Sequence, residues 1–187
     1  MIRRTEEKDI PAVMEVIENA RADLKARGIP QWQNGYPNAD SIRQDIKDDA
    51  SWVMEENGQI VGTCCIRLER DPNYTYIENG AWLNDEDYAV IHRIAVLVST
   101  RGHGYAGMFF RHAGKLALEG GYRNLRADTH DLNLSMQKAL QKEGFVPCGR
   151  VYMQDGAPRI GFQKLLQESD RNISDSFYQV NNCIPLV

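Results

Sequence analysis

A glycine-rich turn in the second half of the chain has the residue types of an anion-binding site. Gly102, Gly104 and Gly107 stand within six residues, directly after a run of β-branched residues. Glycine lets backbone N–H groups turn toward one point without a clash from a Cβ atom. The residues that follow have helical spacing, and the N-terminus of a helix carries a positive dipole end. The turn therefore predicts a pyrophosphate site, with the guanidinium of Arg101 beside it.

Two common classes of nucleotide site are disfavoured by the surroundings of this turn. The chain lacks the P-loop pattern G-x-x-x-x-G-K-[ST]. The turn also lies past the middle of the chain, after predicted antiparallel hairpins, whereas a Rossmann domain carries its glycine turn in its first βαβ unit. The order of elements therefore argues against a dinucleotide-binding domain.

The sequence around the turn resembles the GNAT superfamily of N-acetyltransferases. Residues 101–106, Arg-Gly-His-Gly-Tyr-Ala, are similar to the R/Q-x-x-G-x-G/A signature of that family. Ile94-Ala95-Val96 resembles the strand that precedes the signature. A later helix motif of the family, N-x-x-A-x-x-L-Y-x-x-x-G-F, is similar to the stretch with Asn133, Met136, Leu140 and Gly144-Phe145. The resemblance extends over residues 2–165 and is greatest between 89 and 146, where residues 128–133 are similar to a bacterial branch.

The resemblance implies acetyl-CoA as co-substrate and assigns residues to it. The sheet is expected to splay open after a bulge in the strand at 90–98. Backbone groups near Ile94, Ala95 and Val96 would hold pantetheine and polarise the acetyl carbonyl. Asn133 would steady the pantetheine arm or the thioester end. The pyrophosphate would be bound beside Arg101 by amides of Gly102, His103, Gly104, Tyr105, Ala106 and Gly107.

Transfer to an amine needs a group that takes its proton, and three residues are candidates. The resemblance places Asp128 where ribosomal-protein N-terminal acetyltransferases have a glutamate base. His130 lies on the same strand face if that strand continues, and we expect the two to act together, with His130 titrating. His92 shares a face with Val90, the position of a glutamate in histone acetyltransferases. The alternative is that Asp128 caps a turn and the histidines are structural.

The proton donor for the leaving thiolate is missing from its usual place. Many family members carry a tyrosine seven residues after the asparagine, but Leu140 stands there in this chain. Tyr152 and Tyr105 are the alternatives, and the thiolate could also leave unaided. His103 and His112 are expected to face solvent.

A turn-rich loop at 29–37 carries two large aromatic residues, Trp32 and Tyr36. Aromatic residues in such loops often form binding surfaces, so the loop is expected to wall the acceptor site. The alternative is that Trp32 closes the edge of the core.

The elements that must position these residues follow from periodicity and turn signals. Asp9 and Pro11 predict a helix start, and Asn57-Gly58 and Asp155-Gly156 predict hairpins. The expected fold is mixed α+β, a GNAT-like central, mostly antiparallel twisted sheet with helices on both faces. Residues 1–166 form that domain, and 167–187 are a tail or an added edge element. The predicted strands are 2–5, 52–55, 60–68, 88–98, 125–128, 145–152 and 159–165, and the predicted helices are 9–27, 40–48, 105–119 and 133–143.

Composition agrees with one globular domain. The chain has 187 residues and a net charge of −4, so nucleic acid is disfavoured as a partner. Neither a membrane span nor a signal peptide is predicted, so a cytoplasmic location is expected. The four cysteines include no C-x-x-C pair, so neither a disulfide framework nor a metal site is predicted. A homodimer is left open.

The expected function is acetyl transfer from acetyl-CoA to the primary amine of a small molecule by direct attack. A protein or peptide α-amine is the alternative acceptor. A non-catalytic acyl-CoA-binding module is the alternative of a different class, and Leu140 at the tyrosine position favours it.

Overall fold

The computed structural model describes residues 1–172. Within them the chain forms seven strands and four α-helices. The strands are β1 Ile2–Arg4, β2 Ser51–Glu56, β3 Gln59–Arg67, β4 Ala89–Val96, β5 Asn124–Thr129, β6 Val146–Tyr152 and β7 Pro158–Leu165. The helices are α1 Ile10–Ala26, α2 Ala39–Lys47, α3 Tyr105–Glu119 and α4 Leu134–Lys142.

All seven strands form one sheet in the order β1-β2-β3-β4-β5-β7-β6. Every neighbouring pair is antiparallel except β4 and β5, which are parallel. α1 packs on β3 and β4 from one side, and α3 packs on β4 and β5 from the other. The predicted mixed fold, a mostly antiparallel sheet with helices on both faces, is confirmed.

Local turn chemistry explains most of the boundaries. Asn57 and Gly58 have φ values of 50° and 77°, the left-handed pair of a two-residue hairpin, which joins β2 to β3. Gly121, with φ 85°, follows the end of α3 and allows the chain to reverse. The strand predicted to reach Val98 ends at Val96, because Val98–Thr100 form a 3-10 turn.

The start of α1 differs from the prediction in one respect. Asp9 occupies the cap position, but a 3-10 turn over Glu7–Asp9 precedes it and its side chain does not cap α1. The carboxylate accepts hydrogen bonds from the guanidinium of Arg3 and from the N–H of Glu6 instead. Asp9 thus fastens the helix entrance to β1.

The connection from β3 to β4 covers the same face of the sheet as α1 and α2. It begins with a 3-10 turn at Pro72–Tyr74. Tyr74 and Trp82 then pack against three residues of the sheet region. These are Tyr88, just before β4, Val90 on β4 and Val151 on β6. The connection therefore lies over β5, β6 and β7 and places side chains near the middle of the sheet.

The C-terminal part was expected to be a tail or an edge element. Glu168–Asn172 form a short 3-10 helix, and Arg171 donates a hydrogen bond to the carbonyl of Leu118 at the end of α3. Residues 173–187 lie outside the described residues, so the 166/167 boundary stays a prediction. Cys64, Cys65 and Cys148 are buried free thiols, and Cys183 lies beyond the described part. No helix among residues 1–172 combines the length and apolarity that a bilayer crossing requires.

Candidate active site

A β-bulge interrupts β4 in the centre of the sheet. Thr63 pairs with Ala95, whereas Cys65 pairs with His92, so β4 has one extra residue between these pairs. Arg93 lies in the bulge with φ 51°, the left-handed region that a non-glycine residue seldom adopts. His92 contacts Tyr74, and Arg93 bonds to α2, so both side chains are on the face with α1 and α2. The expected bulge is present.

β4 and β5 part next to this bulge. Their ladder consists of three pairs, Ala89 with Leu125, Val90 with Arg126, and Ile91 with Ala127. His92 and Asp128 follow the last pair on the two strands, so they flank the point where the strands diverge. The backbone from His92 to Val96 lines one side of the resulting gap. Preorganised backbone donors in such a gap can stabilise charge on a carbonyl oxygen.

The glycine turn lies at the wide end of this gap, before α3. Gly102 and Gly104 have φ values of 91° and 80°, and Gly104 precedes the first helical residue, Tyr105. No side chain caps this helix start. The first N–H groups of α3 therefore have no acceptor within the helix, as in an anion site. This donor set fits a pyrophosphate.

Gly107 lies where α3 packs against the end of α4. A Cβ at this position would collide with the carboxylate of Glu143, the residue after α4. Glu143 in turn bonds to Arg111 on α3. Gly107 thus permits close packing of α3 against the end of α4, alongside any part its amide has in binding.

Arg101 is paired with an acidic residue of α1. Its guanidinium makes a two-point ion pair with Asp23 on α1, and the hydrogen bond from Nη1 measures 2.9 Å. This hydrogen bond holds the pKa of Asp23 below its ordinary value. The N–H of Val98 also donates to Asn19 on α1, at 2.8 Å. Arg101 therefore ties the turn to α1, a contact that its expected phosphate role did not include.

Asn133 caps α4 and also reaches across to the loop after α1. Its Oδ1 accepts from the N–H of Met136 and from the guanidinium of Arg27, at 3.4 and 3.1 Å. Its Nδ2 donates to Gln31 at 3.3 Å. The predicted helix start is confirmed, and Asn133 connects the α1–α2 loop to α4.

Asp128 is held by residues that the sequence did not single out. Tyr74 Oη donates to Asp128 Oδ2 at 2.7 Å, and Arg159 Nε lies 3.8 Å from Oδ1. Burial raises the pKa of Asp128, while the nearby charge of His92 and the Tyr74 hydroxyl oppose the increase. Asp128 is thus a buried carboxyl group whose ionised form is disfavoured by burial, at the point where the strands part.

Asp128 and His130, which were expected to act as a relay, have different hydrogen-bond partners in the structure. His130 Nδ1 accepts the N–H of Leu132 at 3.1 Å, which closes the turn after β5. Burial, together with the positive charge of Arg159, lowers the pKa of His130. Asp128 bonds to Tyr74 instead, so each residue has its own partner.

His92 is paired with Asp71, which also escaped the sequence analysis. His92 Nε2 lies 2.7 Å from Asp71 Oδ2, and both side chains are largely buried. Asp71 and Tyr74 belong to the β3–β4 connection, a polar and turn-rich stretch in the sequence. Spacing could not show that this connection returns to β4.

The two tyrosines suggested as proton donors are engaged elsewhere. The hydroxyl of Tyr105 bonds to Glu56 in the β2–β3 hairpin, and its side chain is buried in the core. Tyr152, at the end of β6, donates a hydrogen bond to Glu78 at 2.5 Å. Leu140, at the usual tyrosine position, is a core residue with 1% exposure. His103 is exposed as expected, whereas His112 is half-buried with its ring centroid 4.4 Å from that of Trp52, which corrects the expectation that it faces solvent.

The loop at 29–37 contacts both the core and the bulge. Trp32 is half-buried and packs on the cluster of apolar residues under α1. Tyr36 is 41% exposed, and its hydroxyl accepts a hydrogen bond from Arg93. Between these two aromatic residues, Asn34 donates a hydrogen bond to Asp155 in the β6–β7 turn. The loop therefore lies on the α1–α2 face of the sheet, beside the bulge.

Two cavities in the described part of the chain lie away from these residues. One of about 280 Å³ is lined by Arg4, Trp52 and Arg67 among others, near the opposite end of β3. Another of about 350 Å³ lies between Asn79 and β6. The gap between β4 and β5, rather than either cavity, brings together the residues with chemistry.

Comparisons with known proteins agree with this geometry. The model of the acetyltransferase (GNAT) family matches residues 17–145. A GNAT-family acetyltransferase from Streptococcus agalactiae has a crystal structure with a TM-score of 0.82 and 34% identity, covering 90% of this chain and 96% of its own. A search of curated proteins gives no significant match.

More distant structures share the fold alone. A GNAT-family acetyltransferase from Listeria monocytogenes matches with a TM-score of 0.67 and 23% identity, over 89% of this chain and 94% of its own. A ribosomal-protein-alanine N-acetyltransferase from Brucella melitensis matches with a TM-score of 0.64 and 21% identity, over 89% and 99%.

Proposed function

The chain belongs to the acetyltransferase (GNAT) family, and on that premise we propose that it transfers acetyl from acetyl-CoA to the primary amine of a small molecule. The observation that carries the proposal is the divergence of β4 and β5 directly after a bulge at Arg93. This divergence exposes strand backbone beside a glycine turn whose amides suit a pyrophosphate.

The reaction requires one bond to form and one to break. The amine nitrogen bonds to the acetyl carbon, the carbon–sulfur bond breaks with its electron pair on sulfur, and the nitrogen gives up a proton. Acetyl-CoA supplies the activated acetyl group as a thioester. The chain must hold that group, stabilise negative charge on its oxygen and accept the proton.

Residues of this chain are proposed for each task. Backbone groups at Ile94, Ala95 and Val96 would hold the pantetheine arm and polarise the carbonyl. The amides of residues 102–107 would bind the pyrophosphate, with Arg101 alongside. Asn133 would support the thioester end through the loop that it fastens. The candidates for proton acceptor are His92, Asp128 and His130.

The acceptor would enter from the face that carries α1, α2 and the β3–β4 connection. His92, Asp128 and Tyr36 are on this face, and Trp32 and Tyr36 would form its wall. The loop at 29–37 bonds to Asn133, the cap of α4, and to the β6–β7 turn, so we expect it to limit the width of the opening. A restricted opening favours a small acceptor over a folded protein. A cytoplasmic location stays a prediction, and a homodimer stays open.

Two alternatives rest on specific observations. A peptide α-amine is supported by the fold shared with the Brucella melitensis ribosomal-protein-alanine enzyme, at 21% identity. A non-catalytic acyl-CoA-binding module is supported by Leu140, which is buried where the family's tyrosine would stand.

The test is a panel of acceptors with acetyl-CoA and the full chain. Free thiol and acetylated product, the latter by mass spectrometry, are both measured against small primary amines and peptides with free α-amines. Products from small amines support the proposal, and products from peptides alone support the first alternative. Tight acetyl-CoA binding by calorimetry without any acetylated product would support the binding module.

A further inference from the structure

Resting on the proposed function, we infer that His92 is the general base of the reaction and that Asp71 is its positioning residue. The observation is a buried carboxylate–imidazole pair, Asp71 Oδ2 to His92 Nε2 at 2.7 Å, located where β4 and β5 part. Asp71 comes from the β3–β4 connection, which no motif in the sequence linked to chemistry.

Asp71 is fixed at both carboxylate oxygens. Oδ1 accepts the N–H of Asn73 at 2.7 Å, and Oδ2 faces His92. Its backbone N–H donates to Tyr88 Oη at 2.9 Å. Burial acts to raise the pKa of Asp71, but the hydrogen bond and charge of His92 outweigh it and lower the pKa. Asp71 therefore stays an anion with a defined direction.

An ionised carboxylate only accepts hydrogen bonds, so Nε2 of His92 must carry the proton. In the neutral ring the lone pair is then on Nδ1, the nitrogen that can take a proton from an ammonium or amine. Within residues 1–172, the ring nitrogens of His92 make one polar contact, from Nε2 to Asp71. When Nδ1 accepts a proton, the anion of Asp71 stabilises the imidazolium that forms.

The other two candidates are less suited to this role. His130 Nδ1 already accepts the N–H of Leu132, so its lone pair closes a turn. Asp128 accepts the hydroxyl of Tyr74, a fully buried residue, and Arg159 lies 3.8 Å away. Asp128 instead lies beside His92 at the point where β4 and β5 part, and the charge of His92 acts to lower the pKa of Asp128.

The test combines kinetics with nitrogen NMR of the histidine rings. His92→Gln should lower kcat on the order of 10²-fold with little change in acetyl-CoA Kd, as for a lost general base. Asp71→Asn keeps the acceptor for Asn73 but offers an N–H to His92, so it should lower kcat on the order of tenfold. Asp71→Glu should restore part of that loss. Asp87→Asn, an exposed carboxylate on the same connection, is the matched control and should match wild type.

Ring nitrogen shifts of the free chain supply a readout that does not depend on turnover. Wild-type His92 should be protonated at Nε2, and Asp71→Asn should move the proton to Nδ1, because the amide donates toward Nε2. Wild-type kcat in His92→Gln, or an unchanged tautomer in Asp71→Asn, would overturn the inference while leaving the proposed function intact. A wild-type chain that binds acetyl-CoA but acetylates no amine would instead defeat the proposed function, and the base with it.

Discussion

Arg93 and Asp45 form a two-point ion pair that joins the bulge of β4 to α2. Arg93 Nε lies 2.7 Å from Asp45 Oδ2, and Nη2 lies 2.5 Å from Oδ1. Asp45 is 2% exposed and also accepts from Arg67 at 2.9 Å. Because Arg93 also bonds to Tyr36, this carboxylate links α2, the bulge and the loop at 29–37.

Asp45→Ala is expected to destabilise the protein by about 3 kcal/mol, because it leaves two largely buried guanidinium groups without their shared partner. Urea unfolding measures the loss. Asp48→Ala is the matched control, since Asp48 also bonds to Arg67 but is half-exposed, and it should cost less than about 1 kcal/mol. Equal losses in the two variants would contradict the central role of Asp45.

Gly104→Val is expected to abolish acetyl-CoA binding while the fold is retained. The φ of 80° is costly for a β-branched residue, so the turn must shift and its amides lose their common direction. Gly121→Val imposes similar strain, at φ 85°, at the other end of α3 and should leave binding unchanged. Calorimetry on both variants decides, and wild-type affinity in folded Gly104→Val would refute the assigned site.

Arg101→Ala is expected to weaken acetyl-CoA binding about tenfold, close to the 1.4 kcal/mol of one charge-assisted hydrogen bond. A pantetheine thioester without the nucleotide phosphates should lose much less affinity. Asp23→Asn separates the two roles of Arg101, because it removes the tie to α1 and keeps the guanidinium. If Asp23→Asn weakens both ligands as much as Arg101→Ala does, Arg101 acts through α1 and not on phosphate.

Trp32→Ala is expected to raise the acceptor KM and leave the acetyl-CoA Kd unchanged, since Trp32 would contact the acceptor but not acetyl-CoA. Steady-state kinetics and calorimetry measure the two quantities separately. Trp32 also packs on the core under α1, so some decrease in Tm is expected. A lower Tm with unaltered kinetics would show that Trp32 serves only the core.

Asp128→Asn is expected to make the protein more stable near neutral pH. Burial raises the pKa of Asp128 in the folded state, so the folded chain holds its proton more tightly than the unfolded chain. The stability that this proton contributes is complete below the ordinary pKa, about 3.9, and is lost as pH rises through the higher folded value. Asparagine removes that loss and still accepts the Tyr74 hydroxyl.

The gain in Tm for Asp128→Asn should therefore be largest at neutral pH and disappear at acid pH. Thermal unfolding at several pH values measures it. Asp85→Asn, a fully exposed carboxylate, should show no such trend. A neutral-pH Tm equal to or below wild type would mean that the ionised form is well stabilised by Tyr74 and Arg159.

The sequence was most informative where a local signal sets the backbone. Asn57-Gly58 has one favoured hairpin conformation, and Gly104 and Asn133 stand directly before the first residues of α3 and α4. The glycine turn and the order of the elements could be predicted for this reason, whereas the bulge was expected only from the family resemblance.

Pairs of side chains distant in sequence could not be predicted in this way. Arg101 meets Asp23 from 78 residues away, and His92 meets Asp71 because the β3–β4 connection folds back over the sheet. Asp128 and His130 have separate hydrogen-bond partners, because the chain turns after β5 and His130 closes that turn, so their joint action stays a prediction. Alternation along a strand fixes the face of a side chain but not its partner.

The three-pair ladder between β4 and β5 also bears on how copies of the chain meet. Beyond Ile91 and Ala127, the two strands form no ladder with each other within the described residues, so each has a bare edge in mid-sheet. Bare edges attract strands of other molecules and promote aggregation. A pantetheine arm has amide groups that can pair with such an edge as a strand would. Bound acetyl-CoA would then cover these edges and reduce strand pairing between copies of the chain, quite apart from its chemistry.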